Sequence, residues 1–404
     1  MIPARAWLLP ALIGAAAACA RPTPEPVPAP RPAPPPPAAD TVAAVPVDTV
    51  PAEPAEPVRR YPDAVTLSFT GDINLGTTTL PDGLPPDSGR ALLAAAAPHL
   101  AGDLVVGNLE GVFADTGVSE KCIDRAALAR LRRAGREPEE PPVRPNCYAF
   151  RTPAYLADRL REAGFTHLNL ANNHSGDLGA AGRASTLAAL RANALVPYGP
   201  LGSIAIDTVR RGDSTSTVAL VGFTTYPFAY NLLDIERSAA VVDSVRRLAD
   251  IVVVTFHGGA EGAKAVRTGT GPEFLGSEPR GDLRRWARAV IDAGADAVVG
   301  HGPHVLRGIE FHRGRPIAYS LGNFATYRGF NVEGVRGLTG VLRLEFSGRG
   351  EYRGARFVPM TQPPRRGPMP DPRGAALALM RQLSADDFGE HAARFQPDGT
   401  ILPP

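Results

Sequence analysis

Lysine is almost absent from this 404-residue chain, occurring only at Lys121 and Lys264. An excess of one charge sign is missing too: 43 basic residues face 41 acidic ones, a formal net charge of +2. Without a basic excess or block, the chain lacks the electrostatic footprint of a dedicated nucleic-acid binder. Aromatic residues make up only 6% of the sequence, which leaves little for a base-stacking surface. There are three cysteines and no CxxC spacing, which argues against a structural zinc knot. What the chain does have is apolar residues at 44%, enough for a sizeable core, and 42 prolines that are spread unevenly.

The N-terminus reads as an address. Residues 1–5 carry one positive charge, and residues 6–18 form an uncharged apolar run, too short to cross a bilayer as a helix but suited to a signal peptide. The run ends in Ala16-Ala17-Ala18-Cys19, which resembles a lipobox with Ala16 where leucine is usual. Residues 1–18 are therefore expected to be a lipoprotein-type signal peptide, with Cys19 lipidated. The protein would be exported and held by a lipid anchor on the periplasmic or cell-surface face of the envelope. An ordinary secretory signal with an incidental Cys19 is the alternative. Residues 19–60 are rich in proline and poor in large apolar side chains, a composition that favours an extended spacer over a packed core.

The remaining cysteines, Cys122 and Cys147, lie in a loop-like insertion at about 115–150. In an exported chain such a pair is most simply a disulfide, and closing a loop of about 25 residues contributes roughly 3 kcal/mol in the chain-entropy model. A pair of metal-binding thiols is the competing reading.

From residue 61 the pattern alternates. Residues 65–70, 104–107, 167–170, 218–223, 251–256 and 297–300 read as strands, with Gly71-Asp72 ending the first. Residues 89–100, 153–163, 180–193, 235–249 and 283–293 read as helices. A hairpin is expected around Arg211-Gly212-Asp213-Ser214, and late antiparallel strands at 309–311, 317–320 and 338–346. The alternation defines an α/β domain over 61–362, followed by a tail at 363–404 with one helix that packs on it.

Polar residues collect where the predicted strands end, the usual place for chemistry in α/β proteins. Asp72 and Asn74, Asn108 and Glu110, Asn173 and His174, His257 and Glu261, and His301 and His304 all sit there. Each alone is most simply a cap, an Asx turn or a hydrogen-bonded histidine. Five strand ends offering the same residue types are hard to explain as caps. Carboxylate, carboxamide and imidazole together suit divalent Mn, Fe or Zn. A bridging carboxylate could hold two ions about 3.5–4 Å apart, and a nearby histidine such as His174 could protonate a leaving group.

Gly71-Asp72-Ile73-Asn74, Gly107-Asn108-Leu109-Glu110-Gly111 and Asn169-Leu170-Ala171-Asn172-Asn173-His174 with Asp177 resemble the CapA family of bacterial capsule synthesis proteins. So do Gly300-His301-Gly302-Pro303-His304-Val305 and Tyr319-Ser320-Leu321-Gly322-Asn323-Phe324. The family in turn resembles the calcineurin-like metallophosphoesterases. The resemblance implies a sandwich of two mixed β-sheets flanked by helices around two divalent metal ions. It implies Asp72, Asn74, Glu110, Asn173, His257, His301 and His304 as metal ligands, with Glu110 in the bridging place. His174 and Asp177 become the catalytic pair, and Asn108, Glu261 and Asn323 the residues that touch substrate. Gly258 and Gly262 stand where that pattern often has Trp and Tyr, which opens the pocket mouth.

Two functions fit. One is a metal-dependent hydrolase of a phosphoester or a γ-glutamyl amide. The other is a non-catalytic capsule-assembly protein that holds an anionic envelope polymer. Arg267, Arg280, Arg307 and Arg328 lie near the site loops in sequence and are most simply solvated surface charge.

Overall fold

The computed structural model describes residues 63–139, 141–144, 147–200 and 202–404; the expected signal peptide, Cys19 and the proline-rich spacer lie outside the described residues. Three stretches of chain build two sheets. The first sheet opens with β1 (Val65–Asn74), β2 (Leu104–Leu109), β3 (His167–Asn169) and β4 (Val196–Tyr198), all parallel. The second contains β5 (Ala205–Arg211), β6 (Ser214–Thr224), β7 (Ile251–His257), β8 (Ala297–His301), β9 (Leu306–His312) and β10 (Arg315–Leu321). The chain then returns to the first sheet through β11 (Asn323–Thr326), β12 (Leu338–Phe346), β13 (Tyr352–Thr361), β14 (Arg394–Phe395) and β15 (Thr400–Leu402). Spatial order is β14-β15-β13-β12-β1-β2-β3-β4, with β11 beside the end of β1, in the first sheet and β9-β10-β8-β7-β6-β5 in the second.

Strand β7 shows why the sheets stack. Every residue of Ile251–His257 is buried, so the run is apolar on both faces rather than alternating. Ile251 and Val253 join Leu67, Phe69 and Val299 in the core between the sheets. Val252, Val254 and Phe256 face the other way. Among the helices, α1 (Arg125–Arg133) belongs to the insertion, while α2 (Ala157–Ala163) and α3 (Gly179–Ala192) pack on the first sheet through Leu160 and Leu190. The second sheet is covered by α4 (Ile235–Arg246) and α5 (Leu283–Asp292), whose Trp286 is wedged 5.3 Å from both Phe223 and Phe256. Asp234 and Asp282 cap these two helices by accepting from Arg237 N and Arg285 N. The architecture is thus the expected sandwich of two mixed sheets flanked by helices.

Two local expectations fail. Gly71-Asp72 does not end the first strand: β1 runs to Asn74, slipping register between Phe69 and Asp72. A side chain at Gly71 would sit 1.9 Å from the Gly322 carbonyl, so only glycine lets β1 pass β11 and keep pairing. Residues 89–100 form no α-helix but a series of tight turns, with 3-10 segments at Asp87–Gly89 and Ala97–His99. Gly89 takes a left-handed φ of 75°, and Pro98 removes a donor. The hairpin at 211–214 forms between β5 and β6 as expected. The last helix, α6 (Ala375–Phe388), packs against β9, and β14 and β15 make the C-terminal segment part of the first sheet. Among the described residues, no helix is long and apolar enough to cross a membrane. Cys122 and Cys147 are disulfide-bonded, with Cα atoms 5.5 Å apart.

Candidate metal centre

The sheets meet at the carboxyl ends of their parallel strands, and each contributes side chains there. From the first come Asp72 on β1, Glu110 just after β2 and the loop Ala171–Asp177 beyond β3; from the second come His257 and His301, which end β7 and β8, and His304. His304 has a left-handed φ of 58°, unusual for a residue with a side chain. It follows Gly302, where a Cβ would lie 2.8 Å from the Gly258 carbonyl. This tight turn folds the imidazole back to Asp72, with Nδ1 3.0 Å from Oδ2.

Glu110 sits at the centre, fully buried. Its Oε1 lies 3.6 Å from His304 Nε2, 3.7 Å from His257 Nε2 and 3.9 Å from His174 Nε2. Neither of its oxygens has a hydrogen-bond partner, and neither do the buried atoms His257 Nε2, His301 Nδ1 and Asn173 Oδ1. Leaving such groups unpaired costs about 1–3 kcal/mol each. One atom each from Asp72, Glu110 and His304 lies within 4.8 Å of the others. His301 meets the Thr70 carbonyl through Nε2 at 2.9 Å, the outer contact that metal-bound histidines usually make. The close Asp72–Glu110–His304 group, with both Glu110 oxygens and the nearby His257 Nε2 unpaired, fits a divalent cation.

The electrostatics agree. Burial pushes both carboxyls up. At Asp72 the hydrogen bond and charge of His304 win, and it stays below its ordinary range; at Glu110 burial wins and it lies well above. Burial also works against His304, yet Glu110 and Asp72 outweigh it and hold the imidazolium to about 10. His257 is pushed well below its ordinary value by burial and by the nearby Arg280.

His174 forms the wall opposite. Its Nδ1 lies 2.7 Å from Asp177 Oδ2, and its ring packs at a tilt, 4.4 Å from Phe150. Burial, the largest influence, and the charge of His174 oppose each other at Asp177, which ends below its ordinary range. An ionised carboxylate only accepts, so His174 carries its hydrogen on Nδ1 and turns Nε2 toward Glu110. Phe330 lies beside the site, its ring 5.0 Å from that of His304 and 5.2 Å from that of Phe150.

Three of the expected roles change. Asn74 is not an open ligand: its Nδ2 donates to the Glu110 carbonyl at 2.9 Å and its Oδ1 accepts from Gly76 N, so it fixes the Glu110 backbone. Asn108 is fully buried and cannot meet substrate. Its Oδ1 accepts from Asn169 and Asn172, which aims Nδ2 at Asp72 Oδ1, 2.9 Å away, and at His257 Nδ1. Asn323 is also fully buried, and its Nδ2 donates to the carbonyls of His304, Asn331 and Arg336, so it shapes the His304 turn. Glu261 remains at the rim, 3.9 Å from His304 and bonded to Arg280. Arg280 and Arg307 are fully buried rather than solvated: Arg280 pairs with Glu261 and Glu278, and Arg307 grips Glu273 and the carbonyls of Ala260 and Ala265. Together they stiffen the loop that carries Glu261. Sequence reading missed Phe150, Phe330 and Lys121. Only Lys121 left a signal there, as one of two lysines and the neighbour of Cys122.

Two mixed sheets whose strand ends converge on a buried carboxylate–imidazole cluster define an α/β sandwich with a candidate metal centre at its strand ends. Residues 66–328 match the model of the family described as bacterial capsule synthesis protein PGA_cap, and the chain belongs to that family. It is 35% identical over 195 residues to the PGA biosynthesis protein CapA of Bacillus subtilis, covering 42% of this chain and 45% of that protein. It is 33% identical over 188 residues to the capsule biosynthesis protein CapA of Bacillus anthracis, covering 42% of each. The match spans less than half the length of either relative. Among solved structures, a 5'-nucleotidase precursor from Thermus thermophilus covers 79% of this chain and 58% of its own at 15% identity, with a TM-score of 0.38.

Proposed function

We propose that the protein is a metal-dependent hydrolase of the cell envelope, acting on a phosphoester or γ-glutamyl bond during the synthesis of a capsule-type anionic polymer. The observation that carries this reading is the set of unpartnered buried donors around Glu110, with the His174–Asp177 pair beside it. Asp72, Glu110, Asn173, His257, His301 and His304 would hold two divalent ions, Mn²⁺, Fe²⁺ or Zn²⁺. Bound there, the ions supply Lewis-acid polarisation of a substrate oxygen and activation of water. In its doubly protonated form His174 would donate the Nε2 proton to the leaving group, while Asp177, accepting from Nδ1, fixes the ring. Glu261 meets the substrate at the rim, and Phe150 and Phe330 exclude water.

His174→Ala is expected to retain the metal and lose about 10²–10⁴-fold in rate on a phosphodiester, a phosphomonoester or a γ-glutamyl amide, whichever the wild type cleaves. A wild type that binds metal yet cleaves none of the three would leave polymer holding as the role. The lipobox-like run supports diacylation at Cys19 and attachment through the proline-rich spacer. Labelled palmitate should enter the full chain and not its Cys19→Ser variant; labelling of both would place the attachment elsewhere.

A further inference from the structure

We infer that the disulfide-closed insertion is a working part of the site, gripping Asp177 from both sides, with Lys121 a positioning residue for His174. The inference rests on the hydrolase reading above and adds residues that the strand-end pattern does not contain.

Asp177 accepts three hydrogen bonds in a fully buried position. Oδ2 takes His174 Nδ1 at 2.7 Å and the backbone N–H of Phe150 at 2.8 Å, and Oδ1 takes the Lys121 ammonium at 2.7 Å. Lys121 immediately precedes Cys122, and Phe150 is the third residue after Cys147. The bridge between those cysteines therefore ties together the two donors that hold the carboxylate. Backbone pairing reinforces it: Arg144 N donates to the Cys122 carbonyl at 2.8 Å, Asp124 N to the Pro142 carbonyl at 2.7 Å, and Ile123 bridges Val143. Lys121 Nζ also reaches the carbonyl of Asn173, 3.3 Å away, so one ammonium touches both the partner of His174 and the backbone of a proposed ligand.

The physical consequence is specific. A buried carboxylate keeps one rotamer only while its oxygens are paired, and a charge-assisted bond is the strong kind. Remove the ammonium and Oδ1 is left unpaired, so Asp177 can turn and His174 loses its fixed ring plane. Phe150, delivered by the same insertion, packs 4.4 Å from that ring. An insertion serving only as a surface staple would not need its sole lysine pointed at this carboxylate.

The test uses the metal-loaded full chain and two phosphodiesters, one with a 4-nitrophenyl leaving group and one with an alkyl leaving group that needs protonation. Lys121→Met is expected to lower kcat on the alkyl ester roughly 10–100-fold with little change in KM, and to affect the nitrophenyl ester much less. Lys121→Arg should restore most of the rate. In a His174→Ala background Lys121→Met should cost nothing further, and the paired Cys122→Ala, Cys147→Ala variant should reproduce the Lys121→Met pattern. A second readout needs no turnover: the downfield Nδ1–H proton resonance of His174 in the metal-free protein should broaden away in Lys121→Met. Equal losses on both esters, or a loss that multiplies with His174→Ala, would overturn the inference. A wild type that cleaves neither ester removes phosphodiesters from the hydrolase reading, and the resonance then decides the clamp by itself: its loss in Lys121→Met supports the grip, and its persistence ends it.

Discussion

Stripping divalent ions with a strong chelator is expected to remove hydrolysis entirely and lower the melting temperature, both restored by adding back Mn²⁺, Fe²⁺ or Zn²⁺. The cause is the donor set: Glu110 Oε1 and Oε2, His257 Nε2, His301 Nδ1 and Asn173 Oδ1 have no hydrogen-bond partner within the protein. An ion that binds only the folded chain stabilises it by about 2.7 kcal/mol at a hundredfold excess over its Kd. His304→Ala removes the residue whose Nδ1 meets Asp72 and whose Nε2 faces Glu110. That variant should melt like chelated wild type and ignore added metal. Scanning calorimetry with metal analysis checks both; chelated protein that keeps its melting temperature and rate would refute a metal role.

Glu110→Gln should separate stability from function. The variant is expected to bind metal far more weakly and lose activity, yet its metal-free form should lose less stability than metal-free wild type as pH rises toward neutrality. Burial raises the Glu110 carboxyl well above its ordinary 4.5. The unfolded chain therefore releases this proton at lower pH than the folded one, and folded stability falls as pH rises above 4.5 until Glu110 itself ionises. Glutamine has no proton to lose, so the variant should lack that decline. Urea unfolding of the two metal-free proteins at several pH values gives the difference; parallel curves would mean that Glu110 is paired in solution.

The strand ends were legible because one rule, chemistry at the carboxyl edge of parallel strands, put Asp72, Glu110, Asn173, His257, His301 and His304 in view without any tertiary knowledge. The carboxamides were not. Asn74, Asn108 and Asn173 are the same residue type at the same kind of position, yet only Asn173 presents an unpaired oxygen. Which way an amide faces depends on neighbours far along the chain, such as Asn169 and Asn172 for Asn108. The false helix at 89–100 has a related cause: alanine and leucine carry good helix propensity, but Gly89 and Pro98 set the backbone. Phe330 had no sequence signal, because an aromatic near a glycine looks the same whether it faces a site or solvent.

Asp72 and His304 lie 232 positions apart, and their contact joins the two sheets. A nascent chain that has emerged only through β4 offers carboxylates and amides but none of the closing imidazoles. Ion capture must therefore wait until the second sheet has docked, unlike a zinc finger, whose metal organises the fold. Partial fragments should be blind to metal, and occupancy becomes a certificate that the whole sandwich has closed.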